Sequence, residues 1–159
     1  MTGVNDDFAY TILDDGAAMS IHESQSRFYE NLIGRSEAFC SFLFPKLCEL
    51  FPEQMKGKNE KDFFKAVNKV QPSLIRTEAD ELTYCLHVMI RYELEKRIFS
   101  GDLKVKDLPK AWNALYREYL GISPASDREG VLQDSHWSMG LVGYFPLICI
   151  GKRLRRSVL

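Results

Sequence analysis

"TEADELTYCLHVMIRYELEKRIFSG", Thr77 to Gly101, reads as the longest helix of the chain. It begins near Thr77 and runs to about Ser100, with Gly101 as its stop. Thr77 with Asp80, or Glu78 with Glu81, offers the acidic, capped first turn that the orphan N–H groups of a helix start require. Leu82, Leu86, Met89, Leu94 and Ile98 predict its buried stripe. Beside that stripe, Arg76, Asp80, Tyr84, His87 and Arg91 follow one another at intervals of 4, 4, 3 and 4 and so share a face. Such a row is either a solvated set of ion pairs or, with a tyrosine and a histidine among the charges, one wall of a cleft.

The neighbouring stretches are helical too. Residues 109–120 predict a helix with Pro109 in its first turn, Trp112, Leu115 and Tyr119 facing inward, and Gly121 as terminator. "KDFFKAVNKV" predicts a short amphipathic helix that ends before Pro72, which biases Gln71 towards extended geometry. From Ser36 to about Phe51 another helix places Phe39, Phe42, Leu43, Leu47 and Leu50 on one face, with Pro45 expected to kink or split it. A further helix spans 19–33, with Ser20 as N-cap and Gly34 as stop. The small and aromatic residues of "VLQDSHWSMGLVGYFPLICIG" suit a tightly packed buried helix broken near Pro146. No β-hairpin signal and no repeat interrupts this pattern. The fold class is mainly α.

A chain of 159 residues can bury one core but not comfortably two. Its net charge of -1 creates no field favouring nucleic acid or an anionic membrane. Cys40, Cys48, Cys85 and Cys149 sit singly in apolar stretches, the pattern of buried reduced thiols. No apolar run approaches the roughly 20 residues of a membrane span, and the N-terminus lacks the form of a signal peptide. The expected compartment is the cytoplasm. Residues 1–146 read as one unit, whereas 147–159, ending "GKRLRRSVL", read as a basic, truncated tail.

Three polar clusters stand out. "HESQS", His22 to Ser26, approaches the H-E-x-x-H of a zinc peptidase helix, but its fifth residue is Ser26. Glu23 also has two ordinary explanations, a capping box with Ser20 and an i,i+4 ion pair with Arg27. The stripe Arg76 to Arg91 is the second cluster. The third is "QDSHW", Gln133 to Trp137, followed by Tyr144; buried polar groups of this kind form either an internal network or a site. His22, His87 and His136 are the only histidines, no two are four apart, and no H-E-x-x-H is complete. These residues alone define a helical domain with suspicious polar clusters and no reaction.

Taken together, "SIHESQSRFYENLIGRS", "LIRTEADELTYCLHVMIRYELEK" and "GISPASDREGVLQDSHWSMGLVGYFP" resemble consecutive signatures of the carboxypeptidase Taq family of zinc metallocarboxypeptidases. The resemblance runs from about residue 9 to Pro146. It implies a helical metallopeptidase fold that releases C-terminal amino acids from peptides, with zinc, or cobalt in its place, as the cofactor. It implies that Glu23 is the third metal ligand, with His22 packing beside it. It also implies that Arg76 grips the substrate carboxylate and that His136 and Tyr144 are catalytic residues making polar contacts to the substrate backbone and the tetrahedral intermediate. The family's H-E-x-x-H, which carries two histidine ligands and the general-base glutamate, is absent here. The expectation is therefore a C-terminal fragment, inactive alone, that self-associates or dimerises through exposed apolar surface. The alternative is a non-enzymatic helical interaction module derived from that fold.

Overall fold

The computed structural model describes residues 18–147 together with Asp7 and Thr11. The basic tail and Cys149 lie outside the described residues. Among the described residues the α-helices follow in the order α1 Met19–Arg27, α2 Glu37–Leu50, α3 Pro52–Met55, α4 Glu60–Val67, α5 Tyr84–Phe99 and α6 Leu108–Leu120, before further helical backbone at 144–147. A π-helical turn, Phe28–Ile33, continues α1, and short 3-10 turns lie at Arg76–Glu78 and Val105–Asp107. There is no strand among the described residues, and no helix there is long and apolar enough to cross a membrane.

The core forms where α6 packs on α5. Pro109 occupies the first turn of α6, where a missing N–H costs nothing. Gly121 ends α6 at φ 71°, a left-handed conformation that a Cβ disfavours. Along α6 Leu108, Ala111, Trp112, Tyr116 and Leu120 bury against Ile90 and Leu94 of α5 and Leu103 of the connection. A second cluster joins Ala79, Tyr84, Val88 and Phe145. It ties the start of α5 to the segment after residue 130.

The helix at the centre differs from its sequence expectation in two ways. It starts at Tyr84 instead of near Thr77, because Asp80 captures the backbone N–H groups of Leu82 and Thr83 at 2.9 Å each and the Thr83 hydroxyl at 2.7 Å. The expected apolar stripe is also only partly the buried face: Leu94 is buried and Leu86 and Ile98 pack half-buried against the core, but two members stay out. Leu82 is 69% exposed and Met89 44%, while Tyr84, His87, Val88, Ile90, Arg91, Leu94 and Glu95 are buried. With α6 on one side and the segment after residue 130 near the other, α5 buries its polar row, so that row is no solvated face.

Four further expectations are corrected. Ser20 forms no capping box: the N-cap is Ala18, no side chain caps the helix, and Ser20 lies within the first turn. α2 runs unbroken through Pro45 and buries Cys40 and Phe44, with Phe44 against Phe63 of α4 at 6.0 Å, leaving Phe42 and Leu50 exposed. Residues 127–143 are a succession of turns, not a buried helix, and helical backbone resumes only at 144–147. His22 is exposed and does not pack as a buried residue. Gly34 does stop the first helix, as the C-cap of its π-helical continuation, and the site requires a glycine. Its N–H reaches the carbonyl of Tyr29 at 2.8 Å, and a Cβ there would lie 2.9 Å from the Glu30 carbonyl oxygen. Cys40 and Cys48 are free thiols.

Candidate functional site

The polar row of α5 is buried because a carboxylate from the turns after α6 meets it. Asp134 lies between two guanidinium groups. Arg76 donates from Nε to both carboxylate oxygens at 3.2 Å and from Nη2 to Oδ1 at 2.8 Å. Arg91 donates from Nε to Oδ2 at 2.8 Å, and its Nη2 forms a second bond to the same oxygen. Arg91 is 1% exposed and Arg76 9%. Burying charge in this way requires paired, hydrogen-bonded partners, and the neighbours supply them. Gln133 Oε1 accepts from the Arg76 backbone N–H at 2.9 Å and from Arg91 Nη2 at 3.1 Å. Arg91 Nη1 donates to the His87 carbonyl at 2.8 Å, and Arg76 Nη1 to the Tyr84 hydroxyl at 3.0 Å.

Ionisation follows from this arrangement. Burial alone would raise the Asp134 pKa, but hydrogen bonding and charge from Arg76 and Arg91 outweigh it and hold the carboxyl below its usual range. Burial likewise works against the charge on Arg76, yet its bonds to Asp134 leave the guanidinium more firmly protonated than usual. His87 is pushed down to about 4, first by burial and then by the positive charges of Arg91 and Arg76. Burial pushes the Tyr116 hydroxyl up. It also lowers His136, with Asp134 opposing.

The remaining candidates attach to this centre. The Glu23 carboxylate accepts from Arg27 Nε at 2.7 Å and, through its other oxygen, from Ser26 Oγ at 3.2 Å. The Arg27 guanidinium lies 3.9 Å from the centroid of the Tyr84 ring, whose hydroxyl accepts from Arg76. A continuous path thus runs Glu23, Arg27, Tyr84, Arg76, Asp134, Arg91. On the other side, His136 stacks on Tyr144 with centroids 5.1 Å apart and packs against Phe145 at 4.7 Å. Phe145 in turn lies 5.2 Å from the Arg76 guanidinium and 5.1 Å from that of Arg91. His136 Nδ1 is 3.9 Å from Asp134 Oδ1, too far for a hydrogen bond.

Glu23, Arg76, His136 and Tyr144, drawn from three separate stretches, therefore fall in one connected cluster. Exposed His22 has no place in this path. Sequence reasoning treated Arg27 only as a surface partner of Glu23 and gave Phe145 no role. Its aromatic contacts with both arginines have no signal at local spacing. As a metal site the described residues are incomplete. Among them no group of three His, Cys, Asp or Glu side chains could hold an ion. Glu23 offers one oxygen donor of a kind zinc accepts, and its neighbour in this chain is a cation, not a second ligand.

Comparison with known proteins gives this cluster a context. The family model described as carboxypeptidase Taq (M32) metallopeptidase matches residues 1–155. The chain is similar to Carboxypeptidase 1 of Bacillus subtilis, with 55% identity over 141 residues, which is 89% of this chain and 28% of that protein. The solved structure of BsuCP superposes with a TM-score of 0.90 at 52% identity, covering 93% of this chain and 30% of that one. The M32 carboxypeptidase from Deinococcus radiodurans R1 superposes at 0.87 with 48% identity, covering 96% and 31%. The chain thus spans 28% of the length of the Bacillus subtilis relative.

Proposed function

Because the chain belongs to the carboxypeptidase Taq (M32) family of metallopeptidases, we propose that it forms one part of a zinc-dependent metallocarboxypeptidase that releases C-terminal amino acids from peptides. The observation that carries this reading is the unbroken contact path from Glu23 through Arg27 and Tyr84 to Arg76. It sets a metal-ligand candidate beside a carboxylate-binding candidate, as cleavage next to a free C-terminus requires.

In this reading Glu23 would be one ligand of a zinc, or cobalt in its place, and the metal would supply Lewis-acid chemistry for peptide hydrolysis. Arg76 receives the substrate's terminal carboxylate on N–H groups not engaged by Asp134 or Tyr84, the planar fork being suited to a carboxylate. Asp134 and Tyr84 keep that fork from turning. His136 and Tyr144 make polar contacts to the substrate. The chain contains three histidines and no H-E-x-x-H. The other ligands and the general base then come from a further part of the fold, and this chain alone is inactive.

Exposed Met19, Ile21, Tyr29, Leu32 and Ile33 on the first helix and its π-helical continuation provide apolar surface for that partner or for self-association into a dimer. The proposed compartment is the cytoplasm, with no part played by nucleic acid or membrane. Mixing the chain with a polypeptide carrying the H-E-x-x-H part of an M32 fold should restore zinc-dependent release of C-terminal residues. No release above background from the mixture, or release by this chain alone, would overturn the proposal.

The alternative, a helical interaction module without chemistry, is favoured by one observation. Asp134 already occupies the Arg76 fork. It predicts that the mixture binds but releases nothing.

A further inference from the structure

Glu95 is a buried carboxylate on the last half of α5 whose bonds have no part in the proposed reaction. Its two oxygens serve two separate points of the segment after residue 130. Oε1 accepts from the indole Nε1 of Trp137 at 2.7 Å, and Oε2 accepts from the backbone N–H of Gly143 at 3.2 Å. No cation is bonded to it among the described residues. Removing a carboxylate from water is costly, and two neutral donors offset that cost only if both bonds are made. A carboxylate is also the right group for the task because it accepts on both oxygens and donates on neither. A glutamine would turn an NH2 towards one of the two N–H donors.

The anchor points bracket an exposed turn. Residues 138–143 are exposed, and the turn is closed internally by bonds such as Leu141 N–H to the His136 carbonyl at 2.9 Å. His136 immediately precedes one anchor and Tyr144 immediately follows the other. Their rings are the ones that stack. We propose that Glu95 is a positioning residue, a clamp that pins both ends of this turn to α5 and thereby holds the His136–Tyr144 pair in register beside Asp134. The proposal rests on the reading in which that pair contacts substrate.

The chain has two tryptophans, so its indole N–H signals can be followed individually by nuclear magnetic resonance. In the wild-type chain the Trp137 signal should exchange slowly with solvent. In Glu95→Gln it should exchange at least about tenfold faster, and the Tyr144 ring signals should shift as the stack loosens. The Trp112 indole, which has no acceptor among the described residues, is the reference. In the reconstituted enzyme the same variant should lower kcat roughly tenfold with a smaller change in KM, because the pair's contacts count most in the transition state while the carboxylate-binding Arg76 is untouched. Should Glu95→Gln fail to fold, Trp137→Phe removes one arm only and must produce the same Tyr144 shift.

Unchanged exchange and an unchanged Tyr144 ring overturn the clamp. A released turn with full kcat also overturns it as a device of the reaction. That result takes the roles of His136 and Tyr144 down with it, while leaving Glu23 and Arg76 to be judged by the zinc-dependent release itself.

Discussion

Acidification from pH 7 to pH 5 should destabilise this fold, and His87 should be the main reason. The imidazole is fully buried, with Nδ1 3.0 Å from the Tyr116 hydroxyl. That hydroxyl donates to the Leu74 carbonyl at 3.2 Å and accepts from Gln133 Nε2 at 3.2 Å. The remaining role for Nδ1 is donor, leaving Nε2 an acceptor without a partner among the described residues. A second proton would place a cation in a site where burial, then Arg91 and Arg76, oppose it more strongly than Asp134 and Asp80 favour it. The pKa is accordingly pushed down to about 4 from an ordinary 6.5. The folded value lies below the unfolded one, so the unfolded chain takes up the proton first as pH falls. Stability is whole above about pH 6.5 and is lost as pH falls towards 4.

The magnitude follows from the slope. One extra proton on the unfolded chain costs about 1.4 kcal/mol per pH unit, giving about 2 kcal/mol between pH 6.5 and pH 5. His136 adds a smaller term of the same sign, since it too is lowered but is only partly buried. Asp134 and Asp80 are held below the usual carboxylate range, so their contributions are lost only at lower pH. With a urea slope of roughly 2 kcal/mol per molar, the unfolding midpoint should fall by about 1 M from pH 7 to pH 5. His87→Asn keeps a donor near the Nδ1 position and cannot titrate, so its midpoint should fall by less than half as much. Circular dichroism during urea unfolding at both pH values measures this. Equal falls in the two proteins, or no fall in the wild type, would refute the assignment of His87 as a buried neutral imidazole.

Asp134→Asn leaves Arg91 buried without its anionic partner and should cost about 3–5 kcal/mol in urea unfolding at pH 7. Glu23→Gln removes a partly exposed i,i+4 pair with Arg27 and should change stability by less than about 1 kcal/mol. In a zinc titration of the reconstituted enzyme, the same variant should weaken metal binding sharply. Gly121→Ala forces a Cβ into the left-handed region at φ 71° and should lower stability by about 1 kcal/mol in a thermal melt, leaving zinc-dependent release unchanged.

What local spacing could reveal is clearest in α6. Pro109, Trp112 and Gly121 mark its start, buried face and end, and each signal acts within a turn or two. α5 shows the limit. Counting apolar residues selected Leu82 and Met89 for the interior, yet the interior took His87, Arg91 and Glu95. Arg91 can be buried only because Asp134, 43 residues on, completes it. No helical period contains that information. Asp134 and Gln133 in turn spend their side chains on α5 and its approach, and their segment forms turns where composition suggested a helix. Glu95 was illegible for the same reason. In "YELEK" it looks like one more solvated charge, and its partners Trp137 and Gly143 lie 42 and 48 residues away. Resemblance to a family singles out Glu23, Arg76, His136 and Tyr144, and the chain of contacts that joins them is what the fold adds.

The charge of the cluster distinguishes its two arginines. One aspartate faces two guanidinium groups, and a single carboxylate cannot neutralise both. Arg91 is provided for from several directions. Asp134, Gln133 and the His87 carbonyl accept its protons, and its plane lies 4.7 Å from the Trp112 ring centroid and 5.1 Å from that of Phe145. It is the deeper of the pair and belongs to the framework. Arg76 shares Asp134 and, among the described residues, has beyond it only the Tyr84 hydroxyl as a side-chain acceptor. Arg76 is the shallower arginine and is joined through the Tyr84 ring to Arg27 and Glu23. A positive charge in a low-dielectric setting is most stable when an anion arrives to share it. A peptide's terminal carboxylate is an anion of the right shape for the N–H groups Asp134 leaves open. Asp134 takes one edge of the Arg76 fork and fixes its orientation while leaving N–H groups on the other edge, which is the condition a carboxylate-binding arginine needs.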